Sequence, residues 1–510
     1  MNGSSKSSQW SNTEIAFLIA ILVSIPLLFY NAFRHDFPMG YAGLFTQMAQ
    51  QIADANFALP NESPFYGPGG IPFAYPPFGL YLLAVFIKLT GKYYIFLRFL
   101  PPIFSLLAVG LTFLLAQKFF KQPFLSLIVA ILAATSMDLY IAHTWSSGVV
   151  RAPAFFFTIL VLYFYSPNPD ERSLRNVLLS GLFFGLAALS HLAYALFCFF
   201  WIVTASLSFR DWKKIILDPF LAGLTALVVA SIWIIPVASR YGWKVFFGAF
   251  NSHGGSELMM ESFNLASLIR LFQINLTPVL SNPLLAMLVL VGGIYLLLHK
   301  KYRFVLFFLL IVLIFPENAR FVYWLGCFFA AYGLWFFSIQ LYGRVSKRVQ
   351  VSQPVWKSII LVPVLGILWW NGFASIARVT PFLTTSALEL QESSSEIFLR
   401  DGTYLALLIQ DEAEWLPFLL QREPLVSQWG SEWLGEYDEQ TRFMSMFQGC
   451  RKEKDWACVN SVLADMDTRP AYVITYRIDK KMNEQISAEG FWQEVFSNER
   501  YTIWQTLAAQ

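Results

Sequence analysis

Long apolar runs separated by short polar connectors make up most of the chain before residue 378. Most of these runs approach the roughly 20 residues that a helix needs to cross a hydrocarbon core. The pattern therefore predicts an α-helical polytopic membrane protein with about eleven spans. The expected spans are 14–32, 99–117, 124–142, 149–166, 174–190, 192–208, 220–238, 282–298, 303–316, 321–341 and 358–377.

One long polar stretch, Phe33 to Gly79, interrupts this pattern directly after the first run. Loops of this length in compact proteins are usually functional. The stretch contains apolar residues at helical spacing, which predict an amphipathic helix lying in the membrane interface. These residues are Tyr41, Leu44, Phe45, Met48 and Ile52.

The run Pro76 to Leu89 is short for a span, since it has only about 14 residues. We interpret it as a re-entrant or interface helix, so that 33–98 forms the first external loop. The alternative is that this run is a short true span and that the hydrophobic pattern misses one further span. The first run lacks a small-residue cleavage site and is expected to remain as an anchor.

Basic connectors orient the chain, because Lys and Arg near span ends mark the cytoplasmic side. This rule predicts a cytoplasmic N-terminus and places 143–151, 239–281 and the C-terminal tail outside the cell membrane. The basic connectors are 117–122, 210–214, 299–303 and 344–348.

Composition changes beyond Arg378. The whole chain is 56% hydrophobic and only 14% charged, yet 21 of its 33 acidic residues follow Arg378, against 11 of its 36 basic ones. Predicted strands (403–410, 424–429, 471–476) alternate with helical segments such as 412–421, which is typical of an α/β domain. We therefore expect a transmembrane domain at 1–377 and an extracytoplasmic α/β domain at 378–510.

The four cysteines divide in the same way. Cys198 and Cys327 lie in apolar runs, whereas Cys450 and Cys458 lie in the tail. A disulfide is possible between the second pair if the tail is extracytoplasmic. No glycine-rich nucleotide fingerprint occurs in the tail, and no nucleic-acid partner is expected.

Carboxylates are rare before the tail, so each one can be weighed. Asp36 follows the first span by a few residues, beside Arg34 and His35. A partly desolvated carboxylate at a membrane surface can act as a general base on a hydroxyl group. The alternative is a juxtamembrane charge paired with Arg34.

Three cations are expected on the same outer face as Asp36. They are Arg151, His191 and Arg320, each at the end of a predicted span. Arg offers a planar fork for phosphate, and His adds a further donor. The alternative for each Arg is anchoring to lipid headgroups.

The loop 239–281 is the second long external segment. Its glycines and methionines suggest a mobile flap that brings Glu257 over the site as a candidate substrate contact; an ordinary connector is the alternative. Asp36, Glu257 and Glu261 offer oxygen ligands for a divalent metal, but no spacing demands one. Five His give no zinc signature, so no metal ligand and no other cofactor is assigned.

The arrangement resembles the GT-C superfamily of membrane glycosyltransferases, in particular protein O-mannosyltransferases and lipid A aminoarabinose transferases. Three features carry the resemblance: Asp36 after the first span, YPPFGLYLLA at 75–84, and LRFLPPIFSLLAVGLTFLLAQKFF at 97–120. One feature departs from the family, because many members have an Asp-Glu pair where this chain has His35 and Asp36. Paired-carboxylate chemistry is therefore in doubt, and Asp36 is left as the single candidate base.

The resemblance implies sugar transfer from a polyprenyl-phosphate donor to a lipid, glycan or protein acceptor on the extracytoplasmic face. Asp36 would deprotonate the acceptor, and Arg151, His191 and Arg320 would bind the leaving phosphate. The substrate-binding candidates implied beside them are His35, Tyr75, Arg98 and Glu257. Two other classes compete: a transporter or flippase, which predicts paired broken helices, and a non-catalytic scaffold.

Overall fold

The structure is a computed structural model that describes residues 11–168, 171–207, 212–250, 282–314, 319–345 and 352–507, with isolated positions between 252 and 280. The predicted flap residues His253, Glu257 and Glu261 lie outside the described residues.

Helices form the first part of the chain, apart from a two-stranded hairpin in the first loop. The hairpin pairs β1 (Glu62–Ser63) with β2 (Ile71–Pro72). The helices are α1 (Asn12–Arg34), α2 (Gly43–Asp54), α3 (Phe78–Thr90), α4 (Tyr93–Phe120), α5 (Pro123–Ala134), α6 (Met137–Thr144), α7 (Gly148–Phe164), α8 (Leu174–Ser190), α9 (Leu192–Ser206), α10 (Trp212–Tyr241), α11 (Lys244–Phe250), α12 (Pro283–Leu298), α13 (Tyr302–Ile314), α14 (Ala319–Val345) and α15 (Gln353–Ile376).

Four described helices, α1, α4, α10 and α14, are long and apolar enough to cross a membrane, and the bent pair α5–α6 brings the number up to 5. Shorter apolar helices of 10–17 residues occupy most of the other predicted spans. The polytopic membrane class is confirmed, while the number of eleven spans stays a prediction.

The predicted span 124–142 is not one straight helix. It consists of α5 and α6, which meet at an angle of 68°. The break lies at two hydroxyl residues whose side chains bond the backbone: Thr135 Oγ1 donates to the Leu132 carbonyl oxygen at 3.0 Å, and Ser136 Oγ accepts from the Leu139 N–H at 3.1 Å. Ser136 therefore caps a new helix in a new direction.

Glycines allow α12 and α14 to approach closely. A Cβ atom on Gly292 would collide with the Phe329 carbonyl oxygen, and one on Gly333 would collide with the Leu288 carbonyl oxygen. Small residues at such crossings let helix backbones pack in a membrane, where no hydrophobic effect drives helices together.

The two ends of the bundle are distinguished by their contacts. At one end, the Met39 carbonyl oxygen accepts hydrogen bonds from Ser146 N at 2.8 Å and Ser146 Oγ at 2.7 Å. The loop after α1 and the loop before α7 therefore lie together. At the other end, Lys118 Nζ lies 3.2 Å from a Glu171 carboxylate oxygen. We use "site end" below for the end that contains Met39 and Ser146.

The C-terminal part is the predicted small α/β domain. Its sheet has the order β3-β4-β6-β5, with β3 parallel to β4 and the other neighbours antiparallel. Its elements are α16 (Thr385–Glu392), α17 (Ser394–Ile397), β3 (Tyr404–Leu407), α18 (Gln410–Ala413), α19 (Leu416–Leu420), a 3₁₀ helix (Ser431–Trp433), α20 (Tyr437–Glu453), α21 (Trp456–Asp465), β4 (Tyr472–Tyr476), α22 (Lys480–Ala488), β5 (Trp492–Ser497) and β6 (Tyr501–Thr506).

Two details of this domain differ from the sequence prediction. The predicted strand 424–429 is wrong, because only Pro424 pairs with β3, as an isolated bridge to Tyr404. The ladder does not continue, because Ser427 N donates to the Gln440 side chain, at 3.0 Å from Oε1. The predicted helix 412–421 is two short helices, α18 and α19, and Pro417 lies in the first turn of the second.

The cysteines behave as their positions suggested. Cys450 of α20 and Cys458 of α21 form a disulfide, with their Cα atoms 5.5 Å apart. Cys198 and Cys327 are buried free thiols.

Candidate functional site

Three of the predicted cations lie at helix starts on the site end. Arg151 is in the first turn of α7, His191 is the N-cap of α9, and Arg320 is in the first turn of α14. All three side chains are half-buried. His191 Nδ1 accepts from the Ala193 N–H at 3.3 Å, which turns the rest of the ring toward the neighbouring tyrosines.

Tyrosine side chains bring these cations into one cluster. The Tyr75 ring lies 6.3 Å from the His191 ring, centroid to centroid, and the His191 ring lies 5.4 Å from the Tyr194 ring. The Arg320 guanidinium lies 5.1 Å from the centroid of the Tyr194 ring. Burial raises the pKa of Tyr75, and the positive charges of Arg151 and Arg320 oppose that shift. Both arginines are therefore near the same phenol.

Arg151 is held from the first loop. Its Nη2 donates to the Tyr41 hydroxyl at 2.9 Å, and its guanidinium carbon lies 5.8 Å from the centroid of the Tyr41 ring. Its Nε is buried and has no hydrogen-bond partner within the described part of the chain. The Arg151 guanidinium is therefore held in position, and its Nε–H is still available to donate a hydrogen bond.

The predicted residues around Asp36 form a second group at the end of α1. Arg98 donates to the Ala32 carbonyl oxygen, with Nη2 at 2.6 Å, and to the Asp36 carbonyl oxygen, with Nη1 at 3.0 Å. Arg98 therefore fixes the backbone that carries Asp36. The Asp36 side chain is exposed and makes no hydrogen bond or ion pair to any residue that the structure describes.

His35 is half-buried next to Asp36. Burial lowers the pKa of His35, and the positive charges of Arg34 and Arg98 lower it further. A hydrogen bond with the Val379 backbone and the negative charge of Asp36 act in the opposite direction. The imidazole is therefore expected to be neutral near pH 7.

The structure thus brings Arg151, His191, Arg320 and Tyr75 together, as the sequence predicted for a phosphate site. Asp36, His35 and Arg98 lie at the end of α1, and the short loop from Asp36 leads directly to Tyr41, which binds Arg151. Glu257 lies outside the described residues. The roles assigned to all these residues stay predictions.

Comparisons with known proteins address the fold. Residues 74–237 match the family model described as dolichyl-phosphate-mannose-protein mannosyltransferase. ArnT from Cupriavidus metallidurans in the apo state is similar in structure, with a TM-score of 0.53, 13% identity, and coverage of 96% of this chain and 97% of that one. The chain has the fold of the GT-C glycosyltransferases.

A second structure with this GT-C fold extends the likeness. The Archaeoglobus fulgidus oligosaccharyltransferase complex with Zn and sulfate has a TM-score of 0.52 and 15% identity, with coverage of 94% of this chain and 71% of that one. The search among curated proteins gave no match by sequence. At these identities the comparisons establish architecture, and they leave each residue's role in the GT-C fold open.

Two carboxylates of the C-terminal domain also lie near this cluster, and the sequence analysis missed both. Asp411 is half-buried; burial raises its pKa, and the positive charge of Arg151 counteracts the rise. Burial raises the pKa of Glu432 to about 7, and the negative charge of Glu432 contributes to the raised pKa of Tyr75. No local pattern separates these two residues from the other acidic residues of the tail.

A buried network fixes the segment that carries Asp411. The neighbouring Glu412 carboxylate accepts from Arg500 Nε and Nη2, both at 2.6 Å, and from the hydroxyls of Tyr476 and Tyr501, also at 2.6 Å. A buried carboxylate is stable when all its acceptor positions are used in this way. The network ties α18 to β4 and β6.

The same segment binds the first loop. Glu414 accepts from Gly43 N at 2.7 Å and Leu44 N at 2.8 Å, so its carboxylate caps the N-terminus of α2. Trp415 Nε1 donates to the Gly40 carbonyl oxygen at 3.0 Å. Burial raises the pKa of Glu414 to about 8, although the two N–H groups favour its charged form.

A metal is not assigned to the site. Within the described ranges, no group of three or more His, Cys, Asp and Glu side chains is arranged to bind an ion.

Proposed function

We propose that the protein transfers a sugar from a polyprenyl-phosphate donor to a lipid, glycan or protein acceptor at the extracytoplasmic membrane surface. The observation that supports this most directly is the meeting of Arg151 and Arg320 with Tyr75 and His191 at the site end. Two half-buried guanidinium groups next to a phenol and an imidazole suit a phosphate group better than a neutral ligand.

The proposed reaction exchanges one bond at the anomeric carbon. The acceptor hydroxyl oxygen attacks this carbon while Asp36 takes its proton. The bond from the anomeric carbon to the phosphate oxygen breaks, and polyprenyl phosphate leaves with the electron pair. Attack opposite the leaving group inverts the anomeric configuration.

The two arginines act on the leaving group. Negative charge increases on the phosphate as the bond breaks, and fixed cations in a partly buried site stabilise that charge more than water would. Tyr41 holds the Arg151 guanidinium in place before the substrate arrives, so little reorganisation is needed. His191 adds a donor from the start of α9.

The proposed orientation puts the N-terminus in the cytoplasm and the site outside. The site lies where helix starts meet the first loop, so a lipid chain could enter from the membrane while the acceptor approaches from water. Asp36 suits the approach of the acceptor from water, because its side chain is exposed.

The direct test is transfer by purified protein from a panel of labelled polyprenyl-phosphate sugars to acceptors in a membrane extract. We expect one donor to be used by the wild type and Asp36→Asn to lower the rate by roughly 10²–10⁴-fold. Asp54→Asn is the matched control, since Asp54 is exposed in the same loop and, of the residues that the structure describes, its side chain bonds Gln50 alone. Near wild-type transfer by Asp36→Asn would show that the base is another residue, and a wild type that uses no donor would contradict the proposed function.

A further inference from the structure

The C-terminal domain forms a wall of the cluster around Tyr75. The Trp433 ring lies 5.9 Å from the Tyr75 ring, centroid to centroid. Glu432 directly precedes Trp433 in the 3₁₀ helix. Asp411 belongs to a different segment of the same domain, whose Glu414 and Trp415 bond Gly43 and Gly40 on either side of Tyr41, the partner of Arg151. Two carboxylates therefore accompany two arginines.

This wall is fixed in place rather than loosely apposed. Asp411 directly precedes Glu412, which is bound to the sheet through Arg500, and Glu414 of the same segment caps α2. The 3₁₀ helix packs on the hairpin of the first loop, where a Cβ atom on Gly430 would overlap the Ile71 side chain. Both carboxylates are thus presented to the site by ordered backbone.

Phosphate binding alone does not account for these carboxylates, because negative charges near a phosphate weaken its binding. A carboxyl group accepts hydrogen bonds from sugar hydroxyl groups when it is ionised, and it also donates one when it is protonated, as the raised pKa makes Glu432 in part near pH 7. A complementary donor lies beside them: Trp433 is 6% exposed, and its Nε1 is buried with no hydrogen-bond partner in the described structure. The aromatic rings of Trp433 and Tyr75 add apolar faces.

We propose that Asp411 and Glu432 bind hydroxyl groups of a sugar ring while Arg151 and Arg320 bind the adjoining phosphate. The inference rests on the proposed function and extends it, since it makes the C-terminal domain part of the substrate site. The sugar belongs either to the donor or to a glycan acceptor, and the experiment separates these two sources.

The experiment measures binding of two probes to full-length protein in detergent: undecaprenyl phosphate, and undecaprenyl-phosphate sugars from the labelled panel. The variants are Asp411→Asn and Glu432→Gln. Their matched controls are Asp401→Asn and Glu436→Gln, which remove exposed carboxylates of the same domain. Circular dichroism and gel filtration of each variant verify folding.

If the sugar is that of the donor, each variant binds the sugar-bearing lipid roughly tenfold or more weakly, because a hydrogen bond to a charged group is lost. The same variant binds bare undecaprenyl phosphate equally or more tightly, since a repelling charge is gone. If the sugar is that of the acceptor, both lipids bind as in the wild type and the KM for the acceptor rises by a similar factor.

Unchanged donor affinity together with unchanged acceptor KM would overturn the inference. An equal loss of affinity for both lipids would also overturn it, because the carboxylates would then act only by positioning the arginines. A wild type that binds neither lipid would contradict the proposed function itself, and the inference with it.

Discussion

The two site arginines have different surroundings, but both are expected to need a guanidinium group. Arg151 donates to the Tyr41 hydroxyl and keeps its Nε directed away from any described partner. Arg320 lies over the ring of Tyr194, whose hydroxyl lies 2.5 Å from His143 Nε2. Lysine can replace the charge of either residue but cannot provide two parallel N–H donors.

Arg151→Lys is therefore expected to reduce kcat/KM for transfer by roughly ten- to a hundredfold, which corresponds to one lost hydrogen bond between charged groups. The measurement is steady-state transfer with the donor identified by the panel. Arg378→Lys is the control, because Arg378 is exposed and, among the described residues, its side chain bonds the Ala374 carbonyl oxygen near the end of α15. Equal activity of both variants would exclude a phosphate-binding role for the Arg151 fork.

At this scale the sequence reveals cations better than carboxylates. Arg151, His191 and Arg320 are conspicuous because each interrupts an apolar pattern at the end of a predicted span. Asp411 and Glu432 belong to a tail with 21 acidic residues. Which of those residues faces the membrane domain depends on how the tail folds and docks, and no local periodicity encodes that.

The segment from α18 to α19 is the element that connects the C-terminal domain to the site. Its acidic residues have different surroundings: the charge of Arg151 acts on Asp411, Glu412 bonds within the domain's own network, and Glu414 caps the N-terminus of α2. One short segment thus links the sheet, the first loop and the site. Movement of this segment would move a wall of the site.

Glu414→Gln is expected to loosen this link. An amide side chain can accept one of the two N–H groups of Gly43 and Leu44 and presents its own donors to the other. Their amide hydrogens should then exchange roughly tenfold faster, as followed by hydrogen–deuterium exchange of the peptide that contains them. Glu423→Gln is the control, because among the described residues the Glu423 carboxylate accepts one bond, from Gly69 N at 2.7 Å, and an amide oxygen can keep it. Unchanged exchange at Gly43 and Leu44 would mean that α2 is held by other contacts.

Elements were predictable where a long pattern defines them. The apolar runs predicted α1, α4 and α14, and the amphipathic spacing predicted α2. The break between α5 and α6 depends on two hydroxyl side chains that bond the backbone, which a hydrophobic pattern does not register. The mistaken strand 424–429 has apolar residues, but its pairing ends after the Pro424 bridge because Ser427 N bonds the Gln440 side chain instead.

For the whole molecule, the contacts between distant segments constrain the topology. Met39 binds Ser146, and Gly40 binds Trp415, so the first loop, the loop before α7 and the C-terminal domain share one end. If α3 crossed the membrane in addition to α4 and the α5–α6 pair, Met39 and Ser146 would lie on opposite sides. The contacts therefore favour α3 as a helix that does not cross.

Cysteine labelling of intact cells tests both this topology and its orientation. The natural cysteines provide an unreactive background, since Cys198 and Cys327 are buried and the other two form a disulfide. Glu494→Cys, on an exposed position of β5, should react with a membrane-impermeant maleimide in intact cells. Gln122→Cys, in the basic connector between α4 and α5, should react only after the membrane is permeabilised.

The two positions give four possible labelling outcomes, which fall into three groups. The expected pattern places the C-terminal domain outside, as its disulfide suits an oxidising compartment. The reverse pattern keeps the topology and inverts the orientation. Labelling of both positions in intact cells, or of neither, would place the two ends of the bundle on one side of the membrane. Arg151, Arg320 and Asp411 can form one site only if the C-terminal domain lies at the site end of the bundle. Either result would contradict that arrangement and would separate the phosphate site from the domain proposed to complete it.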